Sequence, residues 1–349
     1  MNRLALIWIV SLLQFLPAVT VGEENGLVSY LRDNRRNALF EKTESNVSLE
    51  NKKFEYYSLR WQLPDGASWN HRVLLSSPKT LIPHSQLFFL SIAGSGNLEG
   101  ERNLLDRVSS EVGIPGAILA DVPNRLPPNM KDDELLARSI AEFEKTGDNN
   151  KPIIFPMVNS VRLAMDSIST ALKARFDTAD VRFVLYGASK RGWTAYLLAA
   201  QDDRVAGLAP RVFDMLNMKQ QIASAQRTFG KQSEKLRVYE ELGLIERIDS
   251  GRIRELREWI DPHSYRNSLT MPKFIQLGTN DPYWAVNSST HYFQDLPKLR
   301  YMFQEANARH HLGKRSDDAL IAWLKYLATC TSIPEISWSR KGNVIIVQF

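Results

Sequence analysis

A serine, an aspartate and a histidine occur in this 349-residue chain in an order that suits nucleophilic catalysis. Ser189 lies in the sequence GASKRG at 187–192, directly after an apolar run. An apolar strand that passes through a glycine-flanked serine into a helix is typical of a nucleophile elbow, a strained turn that lifts the hydroxyl out of the sheet. The spacing departs from G-x-S-x-G, because Arg191 stands where the second glycine is expected and Gly192 follows it. We therefore predict that Ser189 is the nucleophile.

Candidates for the acid and the base lie downstream of Ser189. Asp281 follows the strand-like sequence KFIQLG, and His310 follows the last predicted core strand, at 299–304. The aspartate would accept the imidazole N–H and orient the ring, while the imidazole would take the serine proton and return it to the leaving group. Two alternates remain. Asp214 also follows a strand, although capping the next helix is its competing role, and His311 adjoins His310.

Groups near the serine are candidates for substrate contacts. Gly94 and Ser95 lie in the glycine loop after the apolar sequence LFFLSIA, where backbone amides can approach a substrate oxygen closely. The amide of Lys190, at the start of the predicted helix, is the other oxyanion donor. The side chains of Lys190, Arg191 and Trp284 are the candidate substrate-binding groups. The two cations either bind an acidic group on the substrate or form structural ion pairs, which are the more general case.

Strands and helices alternate up to the serine. The sequences at 87–93 and 116–122 are apolar on both faces, and the segments 132–143 and 157–176 carry apolar residues at helical spacing. This order favours a doubly wound sheet with ligand chemistry at the carboxyl ends of its strands. No G-x-G-x-x-G follows a strand, which argues against a dinucleotide-binding fold. We predict an α/β-hydrolase fold over residues 23–332, with a mostly parallel central sheet flanked by helices.

Two further segments accompany this predicted domain. The segment 217–260 is charged and helix-forming, and it is longer than the usual connection between strands. We predict that it forms a helical cap over the serine, with a pair of ordinary crossover helices as the alternative. Residues 333–349 contain two strand-like sequences. They predict a strand pair at the edge of the sheet or the remnant of a β-rich module.

The first 22 residues have the pattern of a secretory signal peptide. Arg3 precedes an apolar run at 4–13, and small residues lead to Glu23 and Glu24. The run is shorter than the ~20 residues needed to span a bilayer. We expect cleavage near Gly22 and export to the periplasm or the medium, without a stable membrane span. The alternative is a protein tethered by an uncleaved signal.

Composition limits the partners that we expect. The net charge of +5 comes from 44 basic and 39 acidic residues that are interspersed, so the nucleic-acid-binding stripe of Lys and Arg is missing. No cofactor is expected. The pair His310 and His311 lacks the neighbouring Cys, Asp or Glu ligands of a recognisable metal site, so no metal is expected either. The sequence predicts no oligomeric state.

Short motifs spread over most of the mature chain resemble the PhoPQ-activated pathogenicity-related protein family, an α/β-hydrolase-like group. GASKRGWT at 187–194 is the most specific of them. The family pattern Pro-Asn-x-x-His-x-Leu falls on Asn307, His310 and Leu312, with Ala306 in place of the proline, and its register favours His310 over His311. The family also has an aspartate at the position of Asp281. The other matching motifs are VPN at 122–124, FPM at 155–157, RLAMDS at 162–167, DP-SY at 261–265 and MPKF at 271–274.

The resemblance implies an exported protein with an α/β-hydrolase fold, and it links the chain by family name to two-component regulation and virulence. With the candidate residues, it predicts a serine hydrolase that acts through an acyl-enzyme on a small-molecule, glycan or peptide ester. The ester preference is a fold-level analogy, supported by the similarity of GASKRG to the basic-flanked elbow of carbohydrate esterases that bind a uronate. A serine peptidase and a non-catalytic envelope binding protein are the alternatives, and the presence of all three triad residue types disfavours the second.

Overall fold

A computed structural model of the chain describes residues 25–35, 38–43, 54–78, 86–124, 130–176, 180–329, 331 and 337–348. The predicted signal peptide at 1–22 lies outside these residues. Within the described ranges, no helix combines the length and the apolar composition that crossing a bilayer requires.

A nine-stranded sheet forms the centre of the molecule. The strands are β1 Leu39–Lys42, β2 Glu55–Gln62, β3 Ser68–Ser76, β4 Leu87–Ile92, β5 Gly116–Leu119, β6 Arg182–Ala188, β7 Val205–Arg211, β8 Lys273–Gly278 and β9 Arg300–Glu305. Their order in the sheet is β1-β2-β3-β5-β4-β6-β7-β8-β9, antiparallel from β1 to β5 and parallel from there to β9. The prediction of a mostly parallel sheet is confirmed.

Helices cover both faces of this sheet, and their apolar sides meet the strands in two cores. Successive residues of β4 alternate between the cores, with Phe88 and Leu90 in one and Phe89 in the other. A strand buried on both faces must be apolar throughout, which explains the continuous apolar runs. In the described part of the chain the helices are α1 Gly26–Asp33, α2 Glu99–Arg107, α3 Asp132–Thr146, α4 Ile154–Phe176, α5 Lys190–Ala199, α6 Met218–Phe229, α7 Arg237–Glu241, α8 Gly251–Ile260 and α9 Lys314–Ala328.

The segment 217–260 contains α6, α7 and α8, of which α7 and α8 pack against α3. The carboxylate of Asp261, directly after α8, accepts hydrogen bonds from Asn217 N at 3.0 Å and Met218 N at 2.7 Å. These amides begin α6, whose first-turn N–H groups have no partner inside the helix. Asp261 therefore joins the two ends of the helical segment and holds it as a closed unit on the sheet domain.

The C-terminal strands β10 (Ser337–Lys341) and β11 (Val344–Gln348) pair with each other in register from Ser337↔Gln348 to Lys341↔Val344. They form a separate two-stranded sheet, which differs from the expected addition to the edge of the large sheet. The turn explains the local pairing, because Gly342 adopts a φ of 62°, a conformation that glycine accepts without steric cost. Every residue of β11 is exposed.

Candidate active site

Ser189 occupies the sharp turn between β6 and α5. Its backbone has φ 56° and ψ −124°, in a region that side-chain-bearing residues rarely adopt. Such strain persists only where the surrounding structure enforces it, and it is the conformation expected of a nucleophile elbow. The side chain is half-buried and makes no capping hydrogen bond to the helix. The strand-turn-helix context predicted for Ser189 is therefore present.

Two glycines allow the strand and the helix to meet this closely at the elbow. A Cβ on Gly187 would lie 2.6 Å from the backbone carbonyl of Arg191, and a Cβ on Gly192 would lie 2.9 Å from Gly187 O. Both positions lack room for a side chain. Gly192, which stands one position later than in G-x-S-x-G, is thus the glycine that lets the helix pack against the strand. Arg191, at the expected glycine position, is therefore not needed for this close packing.

Asp281 and His310 are in direct contact. Asp281 Oδ2 lies 2.8 Å from His310 Nδ1, and Asp281 Oδ1 accepts a hydrogen bond of 2.9 Å from Tyr283 N. The Tyr283 ring also packs on the imidazole, with 4.4 Å between ring centroids. On its other side, His310 Nε2 is buried and has no hydrogen-bond partner among the described residues. One imidazole nitrogen is anchored, and the other makes no hydrogen bond to Ser189 or to any other described residue.

Backbone contacts hold together the loops that carry this pair. Thr279 N donates to Glu305 O at 3.1 Å, and Asn280 N donates to Ala308 O at 2.9 Å. A Cβ on Gly278 would collide with the carbonyl of Arg309, so the glycine that ends β8 lets the histidine loop approach. Because β8 and β9 are parallel neighbours, their carboxyl ends bring Asp281 and His310 to one edge of the sheet.

The alternate residues occupy different positions. His311 is exposed, with its ring centroid 6.3 Å from that of His310. Asp214 is only 3% exposed and lies near Tyr196 and Tyr292. The expected capping role of Asp214 is not observed, because α6 receives its cap from Asp261 on the far side of the helical segment. A carboxylate 44 residues downstream of Asn217 could not be recognised as a cap from local spacing.

Burial raises the pKa of the Asp214 carboxyl from 3.8 to about 8, an effect that the Tyr292 hydroxyl opposes and the neighbouring Asp281 reinforces. Between these pH values the folded protein keeps a proton that the unfolded chain releases, so this group lowers the free energy of unfolding as pH rises. In the wild type, this decline in the free energy of unfolding should reach up to about 1.4 kcal/mol per pH unit. In Asp214→Asn we expect the decline to disappear. Urea unfolding of both proteins from pH 5 to 8 measures it; parallel curves would contradict the prediction.

Lys190 and Arg191 are paired with two acidic residues at the start of α3. Lys190 Nζ lies 2.8 Å from Asp133 Oδ2, and Arg191 Nη1 lies 2.5 Å from Asp132 Oδ2. Arg191 Nε also donates to Val122 O at 2.5 Å. These partners lie more than 55 residues upstream, so the sequence around the elbow contained no sign of them. Both cations are compensated by the protein itself.

The Arg191 guanidinium also lies against the glycine loop. A Cβ on Gly94 would lie 2.5 Å from Arg191 Nη2, so a side chain at this position would require the guanidinium to shift. Gly94 and the exposed Ser95 follow β4, which pairs with β6 in the sheet. They therefore lie at the same end of the sheet as the elbow. The Lys190 amide begins α5, where first-turn N–H groups lack helical acceptors.

Removal of the Arg191 side chain is expected to destabilise the fold. Arg191→Ala should lower the free energy of unfolding by about 2–4 kcal/mol, because it leaves the half-buried Asp132 without its partner and removes the hydrogen bond to Val122 O. Arg182→Ala, which changes an exposed arginine on β6, is the matched control and should stay within about 0.5 kcal/mol of the wild type. Urea denaturation compares the three proteins. Equal losses in both variants would contradict this role of Arg191.

A cavity of about 120 Å³ adjoins Ser189, and residues of the helical segment form most of its wall. Trp284, a predicted substrate-binding residue, forms part of its wall, and its indole nitrogen is buried without a hydrogen-bond partner in the described structure. Asp133 and Tyr283 also line the cavity and were missed by the sequence analysis. Proximity to Asp281 was the one available signal for Tyr283, and Asp133 had none, since a first-turn acid is common in helices.

Known structures share this architecture. An acetyl xylan esterase from Paenibacillus sp. R4 is similar with a TM-score of 0.60 and 11% identity, covering 88% of this chain and 96% of its own. Acetyl xylan esterase 1 from Thermoanaerobacterium sp. JW/SL YS485 has a TM-score of 0.51 and 13% identity, and the match covers 87% of this chain and 92% of the esterase chain. A puromycin-hydrolyzing peptidase of Mycobacterium tuberculosis has a TM-score of 0.53 and 15% identity, and the match covers 81% of this chain and 41% of the peptidase chain. At these identities the likeness establishes the α/β-hydrolase fold.

Sequence comparison identifies a relative and a family for this chain. Autocrine proliferation repressor protein A of Dictyostelium discoideum is 24% identical over 291 residues, which cover 78% of this chain. The match spans 58% of the length of that protein. The family model described as PhoPQ-activated pathogenicity-related protein matches residues 27–348, nearly all of the described structure. The chain therefore belongs to the PhoPQ-activated pathogenicity-related protein family.

Proposed function

We propose that this protein is a serine hydrolase that cleaves carboxylic esters through an acyl-enzyme, with Ser189 as nucleophile, His310 as general base and Asp281 as the acid. The observation that carries the proposal is the 2.8 Å contact between Asp281 and His310 Nδ1, which leaves Nε2 buried and without a partner among the described residues. Ser189 follows β6 and His310 follows β9, so both residues lie at the carboxyl ends of strands in the parallel part of the sheet. A base oriented by a carboxylate is what activates a serine hydroxyl.

The reaction has two half-reactions. Ser189 Oγ bonds to the ester carbonyl carbon while its proton passes to His310 Nε2, and the carbonyl electron pair moves to oxygen. When that oxyanion collapses, the carbon–alkoxy bond breaks and the proton on Nε2 passes to the departing alkoxide, which leaves as an alcohol. A water molecule then attacks the acyl carbon, His310 takes its proton, and Ser189 leaves with that proton as the carboxylic acid is released.

Two backbone amides would stabilise the oxyanion. The Lys190 amide lies at the N-terminus of α5, where unpaired N–H groups and the helix dipole favour negative charge. An amide of the Gly94–Ser95 loop, which packs against the Arg191 guanidinium, would be the other donor. Removal of one such donor typically costs about 10²–10³ in kcat.

The surroundings of the serine favour a neutral substrate. The sequence left open whether Lys190 and Arg191 bind an anionic substrate group, and both now have carboxylate partners in α3. In this proposal the two cations are structural, the helical segment 217–260 is a cap, and Trp284 contacts the substrate. Export is also part of the proposal and is supported by the signal-like residues 1–22.

A fluorophosphonate probe tests the proposal directly, because it reacts covalently with an activated serine. We expect stoichiometric labelling of the wild type, with the adduct mapped by mass spectrometry to the peptide that contains Ser189. Ser189→Ala should remain unlabelled, and Ser110→Ala, which removes an exposed serine, should label like the wild type. A folded wild-type protein that resists the probe, or an adduct on another residue, would refute the assignment.

A further inference from the structure

The cavity that adjoins Ser189, called the chamber below, is apolar, and Ser189 forms part of its wall. The chamber has a volume of about 120 Å³ and is lined almost wholly by aliphatic and aromatic side chains. Most of them come from the helical segment 217–260, including Met218, Ile222, Leu236, Ile245, Ile253 and Leu256. Such a wall favours hydrocarbon and offers few hydrogen-bond partners to the hydroxyl groups of a sugar.

The charged side chains of the wall are neutralised within the protein. Lys190 Nζ donates to Asp133 Oδ2 at 2.8 Å, and the same oxygen accepts from the Tyr283 hydroxyl at 3.1 Å. Arg257 Nη2 lies 3.2 Å from Asp249 Oδ1. An anionic ligand would have to displace these partners, because a buried charge is costly without one. The chamber therefore suits a neutral group.

The location of His310 indicates which part of an ester occupies the chamber. The departing oxygen takes its proton from the histidine, so the leaving group lies on the His310 side of the serine. His310 is not itself part of the chamber wall and is separated from it by Tyr283, a wall residue whose ring centroid lies 4.4 Å from that of His310, whereas Ser189 and Trp193 near the start of α5 lie in the wall. This arrangement favours the acyl side of the serine as the location of the chamber.

Resting on the hydrolase function proposed above, we propose that the chamber is the acyl-binding site and selects neutral, apolar acyl groups of about four to six carbons. The size follows from comparison with cavities of known capacity. An apolar protein cavity of about 150 Å³ holds a benzene ring, so about 120 Å³ holds a short hydrocarbon chain. This specificity differs from the acetyl xylan named for the structural neighbours.

A series of p-nitrophenyl esters with acyl chains of two to twelve carbons measures this specificity at constant leaving group. Each buried CH₂ is worth about fourfold in binding, so kcat/KM should rise roughly fifteenfold from the acetate to the butanoate. It should reach its maximum at four to six carbons and fall for the dodecanoate. A maximum at the acetate, or a rise that continues to twelve carbons, would overturn the proposal.

A substitution that fills the chamber should shift this profile. Ile245→Trp places a larger ring in the wall and should lower kcat/KM for the hexanoate at least tenfold relative to the acetate. Glu246→Trp, an exposed neighbour outside the wall, is the matched control and should keep the wild-type profile. An unchanged chain-length maximum in Ile245→Trp would overturn the assignment.

Binding of hexan-1-ol to Ser189→Ala tests the chamber without any reaction. Trp193 and Trp284 lie in the wall, so a bound chain should change the intrinsic fluorescence in a saturable manner. Addition of Ile245→Trp should weaken this binding at least tenfold. Absence of a saturable change would overturn the chamber proposal even where esters are cleaved. Saturable binding in a protein that cleaves none of the esters would support the chamber and refute the hydrolase function instead.

Discussion

Replacement of Ser189 or His310 by alanine is expected to lower kcat for ester hydrolysis by about 10⁴- to 10⁶-fold, because each change removes a member of a unit that acts together. KM should change much less, since neither side chain accounts for most of the substrate contact. His311→Ala is the matched control. His311 is exposed beside His310, and its loss should alter kcat by no more than about threefold.

Steady-state kinetics with p-nitrophenyl butanoate compare the three variants, and the double variant Ser189→Ala/His310→Ala adds a further test. Residues of one catalytic unit have non-additive effects, so the double variant should be about as slow as either single one. A greater loss in His311→Ala than in His310→Ala would reverse the assignment of the base. Additive losses in the double variant would indicate that the serine and the histidine act independently.

Asp281→Asn is expected to lower kcat by about 10³- to 10⁴-fold without unfolding the protein. The asparagine matches the shape of the aspartate but offers a neutral amide to His310 Nδ1, so it favours the wrong tautomer and no longer stabilises the imidazolium. The matched variant is Asp214→Asn, which makes the same chemical change in the other buried carboxyl that follows a strand. It should keep kcat within about threefold.

The two variants should also separate in stability. Asp214→Asn should become more stable relative to the wild type as pH rises, whereas Asp281→Asn, which keeps the Asp214 carboxyl, should retain the decline of the wild type. Kinetics and urea unfolding on the same preparations give both readouts. A severe loss of activity in Asp214→Asn with normal folding would assign the acid to Asp214 and contradict the pairing of Asp281 with His310.

Local patterns were sufficient for the elements of the fold. Apolar runs on both faces predicted β4, β5 and β6, and the order of strands and helices predicted the mostly parallel sheet, because the burial pattern of a strand is written in adjacent residues. Boundaries moved by a few residues. The helix predicted at 157–176 begins at Ile154, and the strand predicted at 299–304 covers Arg300–Glu305. Helix and strand ends depend on caps and neighbours that a local pattern does not contain.

By itself, the sequence determined the α/β-hydrolase fold, the family and an order of Ser189, Asp281 and His310 that nucleophilic catalysis can use. Only the tertiary structure decided that Asp281 touches His310, that Asp261 rather than Asp214 caps α6, and that Lys190 and Arg191 have partners in α3. It also revealed the apolar chamber. Residue types and their order are read directly from the sequence. Contacts between residues tens of positions apart exist only once the sheet brings its loops together, and so does the space that these residues enclose.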